Sequence, residues 1–280
     1  MDIQWYPGHM AKAKRLIMEN LKLVDIVIEI LDARVPISSR NPDVDNIIGN
    51  KPRLIVLNKF DLSDPTINKE WEDYYNKKGI NNIFINSITG RGIDKVINTL
   101  VFMMKEKMQS LAQRGRKYKP IRCMIIGIPN VGKSTFINKI AGKSSAKTGS
   151  KPGVTKGKQW IRLNQQIELL DTPGILWPKF EDKEVGIRLA WIGSIKDEIL
   201  DQEELAFRLL DFLKTSYPAL LIDRYNIDNL DRETLDILND ISKNRGFIVK
   251  GGEFDYLRTS EMLLDEFRKG TIGKISLERP

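Results

Sequence analysis

Apolar residues in the first 177 positions fall into short β-branched runs that are separated by helical repeats. The short runs, typical of buried parallel strands, cover 26–31, 53–57, 82–85 and 122–126. Two more, 159–163 and 166–170, are placed to form an antiparallel pair. Amphipathic helices are predicted over 10–22, 93–107 and 134–141, and the polar, basic stretch 111–120 is predicted to be a linker. Strands that alternate with helices predict an α/β domain with a mostly parallel sheet and helices on both faces.

The pattern changes after position 177. Helical periodicity recurs over 184–195, 201–215, 231–243 and 259–269, with few signals for strands. We therefore predict two domains, an α/β domain over 1–177 and a small all-α domain over 178–280. The helical domain is predicted to contact RNA or the ribosome.

Bulk composition is that of an ordinary globular protein. Of the 280 residues, 41% are hydrophobic, yet no apolar run approaches the ~20 residues that span a bilayer. The first residues lack the basic and apolar stretches of a secretory signal, and the single cysteine, Cys123, cannot pair within the chain. We expect a cytoplasmic monomer that does not bind a membrane.

Charge is distributed unevenly along the chain, whose net charge is +8. Residues 105–162 carry 15 Lys and Arg against one acid, Glu106, which is more than a nucleotide site needs. Residues 178–280 have an acidic excess instead, with 21 Asp and Glu against 16 Lys and Arg. The basic stretch predicts a polyanionic partner, most simply RNA, and the alternative is a solvated basic surface.

Residues 127–134 match the phosphate-loop pattern G-x-x-x-x-G-K-[ST] between a predicted strand and a predicted helix. The glycines let backbone N–H groups face the phosphates, and the helix N-terminus favours their charge. Lys133 is expected to reach the β- and γ-phosphates, where it acts in catalysis, and Ser134 to bind Mg²⁺. The residues expected to contact nucleotide here are Asn130, Val131, Gly132, Lys133, Ser134 and Thr135.

Two later segments are candidate switches. Asp171 begins an Asp-Thr-Pro-Gly sequence after an apolar strand, where it would help to hold Mg²⁺ and the Gly174 N–H would contact the γ-phosphate. By itself this tetrapeptide also forms ordinary turns. Thr155, in the glycine-containing stretch 149–157, is expected to close on Mg²⁺ and to act in catalysis. The alternative for that stretch is a plain connecting loop.

A guanine-reading motif, Asn-Lys-x-Asp, covers residues 58–61. The Asp61 carboxylate can accept hydrogen bonds from N1–H and the N2 amino group of guanine, and adenine offers neither donor. Lys59 is expected to lie along the base and Asn58 to tie the loop together. Backbone N–H groups of Asn86 and Ser87 are expected to contact guanine O6. This motif separates GTP from ATP, and a metabolic kinase with the same phosphate loop would not need it.

The guanine motif precedes the phosphate loop, whereas ordinary small GTPases have the opposite order. Two intact motifs in the reverse order indicate a circular permutation. Together with Trp-Tyr-Pro-Gly-His-Met at 5–10, Asp-Ala-Arg at 32–34 and the closing residues 273–278, they make the chain resemble the circularly permuted GTPases, in particular the bacterial ribosome biogenesis GTPase A family. The resemblance covers nearly the whole chain.

The resemblance implies a GTPase that acts late in assembly of the large ribosomal subunit. Such proteins bind pre-ribosomal RNA through basic surfaces and a C-terminal helical domain. We expect GTP, GDP and Mg²⁺ as ligands, and the subunit precursor, its rRNA and ribosomal proteins as partners. Binding in the GTP state and release on hydrolysis is the predicted cycle. The alternative is a GTP-gated RNA-binding module in which hydrolysis is incidental.

One departure from Ras-like enzymes concerns catalysis. Ile175 stands where those enzymes have a glutamine that orients the attacking water, so intrinsic hydrolysis is expected to be slow and to be stimulated by the ribosomal subunit. The resemblance supplies His9 as the catalytic replacement, and a structural or RNA-contacting role for His9 is the alternative. Asn130 offers a second route, because asparagines at this place in related GTPases coordinate K⁺.

Overall fold

The computed structural model describes residues 8–113, 120–142, 159–171 and 182–280. For 8–14, 112, 159 and 171 only the backbone is described. The described residues form two compact units, one of 8–171 with 276–280 and the other of 182–275. Across these residues, every helix is too short or too polar to cross a membrane.

The first unit is built on a six-stranded sheet. Its strands are β1 Ile26–Asp32, β2 Arg53–Asn58, β3 Asn82–Ile85, β4 Ile121–Ile126, β5 Gln159–Arg162 and β6 Ile167–Asp171. Their order is β3-β2-β1-β4-β6-β5, and all neighbours are parallel except β5, which runs antiparallel to β6. The predicted α/β fold with a mostly parallel sheet is therefore confirmed, including the antiparallel pair.

The central strand β1 is buried on both faces of the sheet, which explains why its sequence does not alternate between apolar and polar residues. Every one of its residues is buried. Because successive side chains of a strand point to opposite faces, both faces of the sheet are covered here. The continuous apolar run is the sequence signature of such a strand.

Six helices accompany the sheet in the described part of this unit. They are α1 Gly8–Leu21, α2 Val44–Ile48, α3 Pro65–Lys77, α4 Ile93–Met103, α5 Lys105–Gln113 and α6 Lys133–Ala141. Ile17 of α1 and Val44 of α2 pack in one core cluster with Val27 and Met124. Trp71 of α3 packs in a second cluster with Leu57.

Three features of these helices differ from the sequence prediction. Helices α2 and α3 were not predicted, and the single helix over 93–107 is interrupted at Met104. Hydrogen bonds continue across that residue, from its N–H to the Leu100 carbonyl at 3.2 Å and from the Met108 N–H to its own carbonyl at 3.0 Å. The predicted linker over 111–120 was wrong at its start, because α5 continues to Gln113.

Helix α3 begins where local chemistry permits it. Asp64 caps its N-terminus by accepting a hydrogen bond from the Thr66 N–H at 2.8 Å, and Pro65 occupies the first helical position. Its buried residues are Ile67, Trp71 and Tyr75, four positions apart. This spacing places all three on one face of the helix, against the sheet.

The second unit is helical, as predicted. It contains α7 Lys183–Trp191, a 3₁₀ turn Asp197–Ile199, α8 Gln202–Ser216, α9 Pro218–Tyr225, α10 Thr234–Arg245 and α11 Tyr256–Lys269. Helix α8 contacts the other four α-helices and buries Leu205, Leu209 and Leu213 among them. Helix α9 was not predicted. It begins at Pro218, directly after α8 ends.

The last five residues return to the sheet. The sequence prediction assigned all of 178–280 to the helical domain, but Ser276–Pro280 group with the first unit. The Leu277 N–H donates to the Arg34 carbonyl at 2.8 Å, beside the end of β1. This return could not be seen in the periodicity, because the segment is neither helical nor a strand.

Candidate nucleotide site

The carboxyl ends of three neighbouring strands lie side by side. Asp32, the last residue of β1, pairs with Asn58 at the end of β2. Asn58 in turn pairs with Ile85 at the end of β3, directly before Asn86. Strand β4 lies on the other side of β1 and leads into the phosphate loop. Open α/β sheets bind ligands at this edge, and here it gathers the guanine motif and the phosphate loop.

The glycines of the phosphate loop are required by close backbone approaches. Gly127 has φ 155°, and a Cβ there would lie 2.5 Å from the Ile30 carbonyl oxygen. Gly132 has φ 96°, and a Cβ there would lie 2.3 Å from Nδ2 of Asn58. A side chain at either position would displace the backbone or the guanine motif, so the loop can take this shape only with glycine.

Helix α6 begins at Lys133, with Ser134 and Thr135 in its first turn. Its N-cap is Gly132, which has no side chain to cap the helix. An anion is favoured at such a helix N-terminus, because the backbone N–H groups and the helix dipole both attract it. Lys133 is buried, and its Nζ donates to the Ile128 carbonyl at 2.7 Å. The loop therefore fits the phosphates of a nucleotide.

The side chain of Asn58 joins three separate segments. Its Nδ2 donates to the Val131 carbonyl in the phosphate loop at 2.7 Å. Its Oδ1 accepts from the Ser87 N–H at 3.0 Å and from Ser87 Oγ at 2.8 Å. With 1% of its surface exposed, Asn58 is a structural junction of the site.

Lys59 links the guanine motif to the phosphate loop a second time. Its backbone has φ 61°, in the left-handed region. Its Nζ donates to the Asn130 carbonyl at 2.8 Å and pairs with Oδ2 of Asp32 at 2.9 Å. Burial lowers the pKa of Lys59, an effect that the Asp32 carboxylate opposes. The lysine side chain is thus fixed from both sides.

Asp32 is a component of the site whose role the sequence prediction missed. It is fully buried, and Arg34 donates to it from Nε at 2.9 Å and from Nη2 at 2.8 Å. Burial alone would raise the pKa of Asp32, but the Arg34 guanidinium and the Lys59 ammonium together hold that pKa well below its usual range. The Asp-Ala-Arg sequence contributed only to the family resemblance, although its place after a buried strand was a usable signal.

The loop after β3 is organised by Asn86. Its Oδ1 accepts hydrogen bonds from the N–H groups of Ile88 at 2.8 Å and Thr89 at 2.9 Å. Its own N–H donates to the Arg91 carbonyl at 3.0 Å, and the Ser87 N–H donates to Asn58. The two N–H groups that were predicted to contact guanine O6 therefore have protein acceptors, which O6 would have to share.

The Asp61 carboxylate is half-buried and makes no hydrogen bond or ion pair with the residues that the structure describes. Its loop is held by the Leu62 N–H, which donates to the Lys59 carbonyl at 2.9 Å, and by Ser63 Oγ, which donates to the Phe60 carbonyl at 3.1 Å. The Arg91 guanidinium lies over the Phe60 ring, 5.0 Å from its centroid. Asp61 thus lies on a turn that is held by hydrogen bonds, and its carboxylate oxygens can accept hydrogen bonds from a ligand.

The remaining candidates are described in part or not at all. Asp171 ends β6 and pairs with Ile125 of β4, but only its backbone is described. The same holds for His9, which is in the first turn of α1. Thr155 and Gly174 lie outside the described residues. Within the described ranges no group of three or more His, Cys, Asp and Glu could hold a metal by itself. The assignment of Ser134, Thr155 and Asp171 to Mg²⁺ stays a prediction.

Sequence comparison with known proteins shows which family the chain belongs to. The sequence model of a family described as 50S ribosome-binding GTPase matches residues 122–250, starting in β4 just before the phosphate loop. Ribosome biogenesis GTPase A of Bacillus cereus is 50% identical and spans 100% of this chain and 95% of its own length. The Thermotoga maritima protein of that name is 32% identical over 99% of this chain and 95% of its own. Mitochondrial ribosome-associated GTPase 1 of Mus musculus is 33% identical, with 99% and 90% covered.

Two solved structures agree with the fold. A GDP-bound structure of TM YlqF has a TM-score of 0.67 and 27% identity, and covers 95% of this chain and 99% of that one. A GNP-bound YlqF from T. maritima has a TM-score of 0.66 and 28% identity, with 96% and 98% covered. Because the similarity is full-length and Asn58 joins the guanine motif to the phosphate loop, this chain belongs to the ribosome biogenesis GTPase A family of circularly permuted GTPases.

Proposed function

We propose that the chain hydrolyses GTP as a late assembly factor of the large ribosomal subunit. It binds pre-ribosomal RNA in the GTP state and is released after hydrolysis. The observation that carries the GTP part is the hydrogen bond from Asn58 to the Val131 carbonyl, which joins the guanine motif to the phosphate loop. The names of its relatives, which include ribosome biogenesis and mitochondrial ribosome-associated GTPases, support the ribosomal part.

Guanine is selected by Asp61 and Lys59. The Asp61 carboxylate accepts from N1–H and the N2 amino group, and Lys59 lies along the base where Asp32 and the Asn130 carbonyl hold its ammonium. An adenine base would leave the carboxylate partly desolvated and without a donor, which is unfavourable because a buried charge needs a partner. Asn86 shapes the adjacent loop, and the Ser87 N–H shares its hydrogen bond with guanine O6.

The phosphates are bound at the start of α6. Lys133 contacts the β- and γ-phosphates, together with backbone N–H groups of the loop from Asn130 to Thr135. Ser134 and Thr155 bind Mg²⁺, and Asp171 supports it from the end of the neighbouring strand. When bound, Mg²⁺ neutralises charge on the β- and γ-phosphates. The Gly174 N–H contacts the γ-phosphate.

Stimulated hydrolysis needs a group that positions water, since Ile175 cannot hydrogen-bond it. His9 is the proposed group, and K⁺ bound with the help of Asn130 is the second. Asn130 has a positive φ of 62°, and its carbonyl accepts from Lys59. We propose that contact with the large subunit completes this arrangement, so that turnover rises on binding.

RNA is the proposed partner of the basic stretch 105–162. Phosphate backbones attract such charge, and binding then weakens steeply with salt. The acidic excess of residues 178–280 means that any RNA contact in the helical unit uses a local patch. The proposed location of the protein is the cytoplasm. Bacterial ribosomes are assembled there, and its reducing conditions keep a free thiol such as Cys123 reduced. We propose that it acts as a monomer.

A second candidate is a GTP-gated RNA-binding module in which hydrolysis is incidental. Ile175 favours it, because it removes the water-positioning side chain of Ras-like enzymes. The two functions differ in one measurement, GTP turnover with and without purified large ribosomal subunits. The first predicts a rise of about 10²–10⁴-fold, the range for a positioned acid–base group. If subunits bind the protein but do not change its turnover, the result supports the GTP-gated RNA-binding module instead.

A further inference from the structure

The C-terminal segment Ser276–Pro280 binds beside the guanine half of the site. The Leu277 N–H donates to the Arg34 carbonyl at 2.8 Å, and Trp71 Nε1 donates to the Glu278 carbonyl at 3.2 Å. Ser276 Oγ accepts from the Asp64 N–H at 3.1 Å. Ser276, Leu277 and Glu278 are all buried. The end of the chain is thus part of the fold of the first unit.

Glu278 is the most constrained residue of this segment. The residue is 8% exposed, and its carboxylate accepts from the N–H groups of Ile37 at 2.8 Å and Ser38 at 3.0 Å. The Ser38 hydroxyl donates to the same carboxylate. A carboxylate that receives backbone N–H groups and a hydroxyl forms charge-assisted hydrogen bonds, which are about twice as strong as neutral ones. Glu278 therefore fixes the turn that follows Arg34.

That turn is connected to the nucleotide site. Ser39 Oγ donates to the Val35 carbonyl at 2.7 Å and accepts from the Asp32 N–H at 3.1 Å. Asp32 in turn holds the ammonium of Lys59. Hydrogen bonds and the short backbone links between them thus connect Glu278, through the turn, to Lys59, the lysine proposed to lie along the base.

The C-terminal segment also reaches the other side of the guanine motif. Asp64, whose N–H donates to Ser276, follows Asp61 by three residues and caps α3. The segment therefore contacts the chain after β1 and the chain after the guanine motif. Both contacts concern the base, whereas the phosphate loop is built from β4 and α6.

We propose that Glu278 is a positioning residue for guanine recognition. It fixes the turn after Arg34, and with it the Asp32–Lys59 pair, while Ser276 braces the loop that presents Asp61. Removing these contacts lets Lys59 and Asp61 move away from the base. This inference rests on the proposed binding of guanine nucleotides.

The test compares two nucleotides that differ only in the group that Asp61 reads. Inosine diphosphate lacks the N2 amino group of GDP, so the ratio of the two affinities reports how well Asp61 is placed. The variants are Glu278→Ala and Ser276→Ala, the second of which loses the hydrogen bond from the Asp64 N–H. Arg279→Ala is the matched control, because its guanidinium pairs with Glu70 at 2.7 Å on an exposed surface. Affinities are measured by displacement of a fluorescent GDP from the full-length chain.

Glu278→Ala is expected to reduce the preference for GDP over inosine diphosphate by about tenfold, a typical effect of losing one charged hydrogen bond. Ser276→Ala is expected to reduce it by about threefold, and Arg279→Ala to leave it unchanged. A folded Glu278→Ala protein with the wild-type ratio overturns the inference. Should that variant not fold, a wild-type ratio in Ser276→Ala overturns it instead. A wild-type protein that binds ADP as well as GDP overturns the proposed function too.

Discussion

Nδ2 of Asn58 donates a hydrogen bond to the carbonyl oxygen of Val131, 2.7 Å away, although the two residues are 73 positions apart in the sequence. In the permuted chain the guanine motif comes first, and this contact closes it onto the phosphate loop. A Cβ on Gly132 would lie 2.3 Å from the same Nδ2. The glycine of the phosphate loop is therefore needed both for its backbone conformation and for the access of Asn58.

Replacing Asn58 tests this junction. In Asn58→Ala the Val131 carbonyl and the Ser87 N–H lose their partner in a buried site, which costs about 1–3 kcal/mol for each unsatisfied group. We expect a free energy of unfolding lower by about 2–4 kcal/mol and nucleotide affinity lower by at least about tenfold. Urea titration and fluorescent GDP binding measure the two.

The control for that variant is Asn76→Ala, on the exposed surface of α3. It removes an amide of the same size, and both quantities should stay within the range of an ordinary surface change, about 0.5 kcal/mol. An Asn58→Ala protein as stable as this control would show that the junction does not hold the segments together.

Replacing Asp61 tests base selection. In Asp61→Asn the amide can donate to the C2 carbonyl of xanthine but leaves the N2 amino group of guanine facing a donor. We expect GTP affinity to fall by at least about 100-fold and xanthosine triphosphate to bind better than GTP, since mismatched hydrogen-bonding groups discriminate strongly. Asp73→Asn, an exposed change on α3, is the control. Unaltered preference for GTP in Asp61→Asn would exclude this residue from recognition of the base.

The strands could be predicted from the sequence because their environment is simple. All seven residues of β1 are buried, so its apolar run is unbroken. Helix α3 was missed although Ile67, Trp71 and Tyr75 recur every four residues and Asp-Pro precedes them. The polar residues between these three made the helical periodicity of apolar residues hard to recognise. Helix α2, with five residues, is too short for periodicity to show.

The site could be predicted only where one segment carries a complete motif. The phosphate loop and the guanine motif are such segments, and their own spacing identifies them. The role of Asp32 depends on β1 lying beside β2, which sequence alone does not give. The contacts of Glu278 with Ser38 join residues 240 positions apart, and no local pattern records them.

The buried Asp32 predicts a specific dependence of stability on pH. Its pKa in the folded protein lies below the usual value of about 3.9. The unfolded chain therefore takes up the proton first as pH falls, so the stabilisation is present above about pH 4 and is lost below it. Asp32→Asn should have lower stability at pH 7 and a flatter decline between pH 5 and pH 3. Urea titrations across this range decide it, and equal slopes in both proteins would contradict the assignment.

Glu29 predicts a dependence of stability on pH that is opposite to that of Asp32. It is 2% exposed in the middle of β1, and burial raises its pKa although Arg40 and Arg53 oppose this. Its Oε2 has no hydrogen-bond partner among the described residues and lies 3.3 Å from Arg53. The folded protein then takes up the proton first, so this contribution to stability is present at low pH and is lost as pH rises through the raised pKa.

Glu29→Gln removes that charge without changing the size of the side chain. Arg40 and Arg53 keep Asp45 as a partner, so neither is left unpaired. We expect the free energy of unfolding at pH 7 to equal that of the wild type or to exceed it by up to about 2 kcal/mol, as for other buried ion pairs. A loss of more than about 1 kcal/mol in urea titration would show that the ion pair is a net source of stability.

The last prediction separates the two candidates for positioning water. If His9 acts on the water, His9→Ala loses most of the turnover stimulated by large subunits, by about 10²–10⁴-fold for a positioned acid–base group, while GDP affinity is kept. If K⁺ supplies the charge, turnover in K⁺ exceeds that in Na⁺ for both proteins, and Asn130→Ala removes the difference. Single-turnover hydrolysis is measured for each protein in both salts, with subunits saturating. Wild-type turnover in His9→Ala would exclude His9, and equal turnover in the two salts would exclude K⁺.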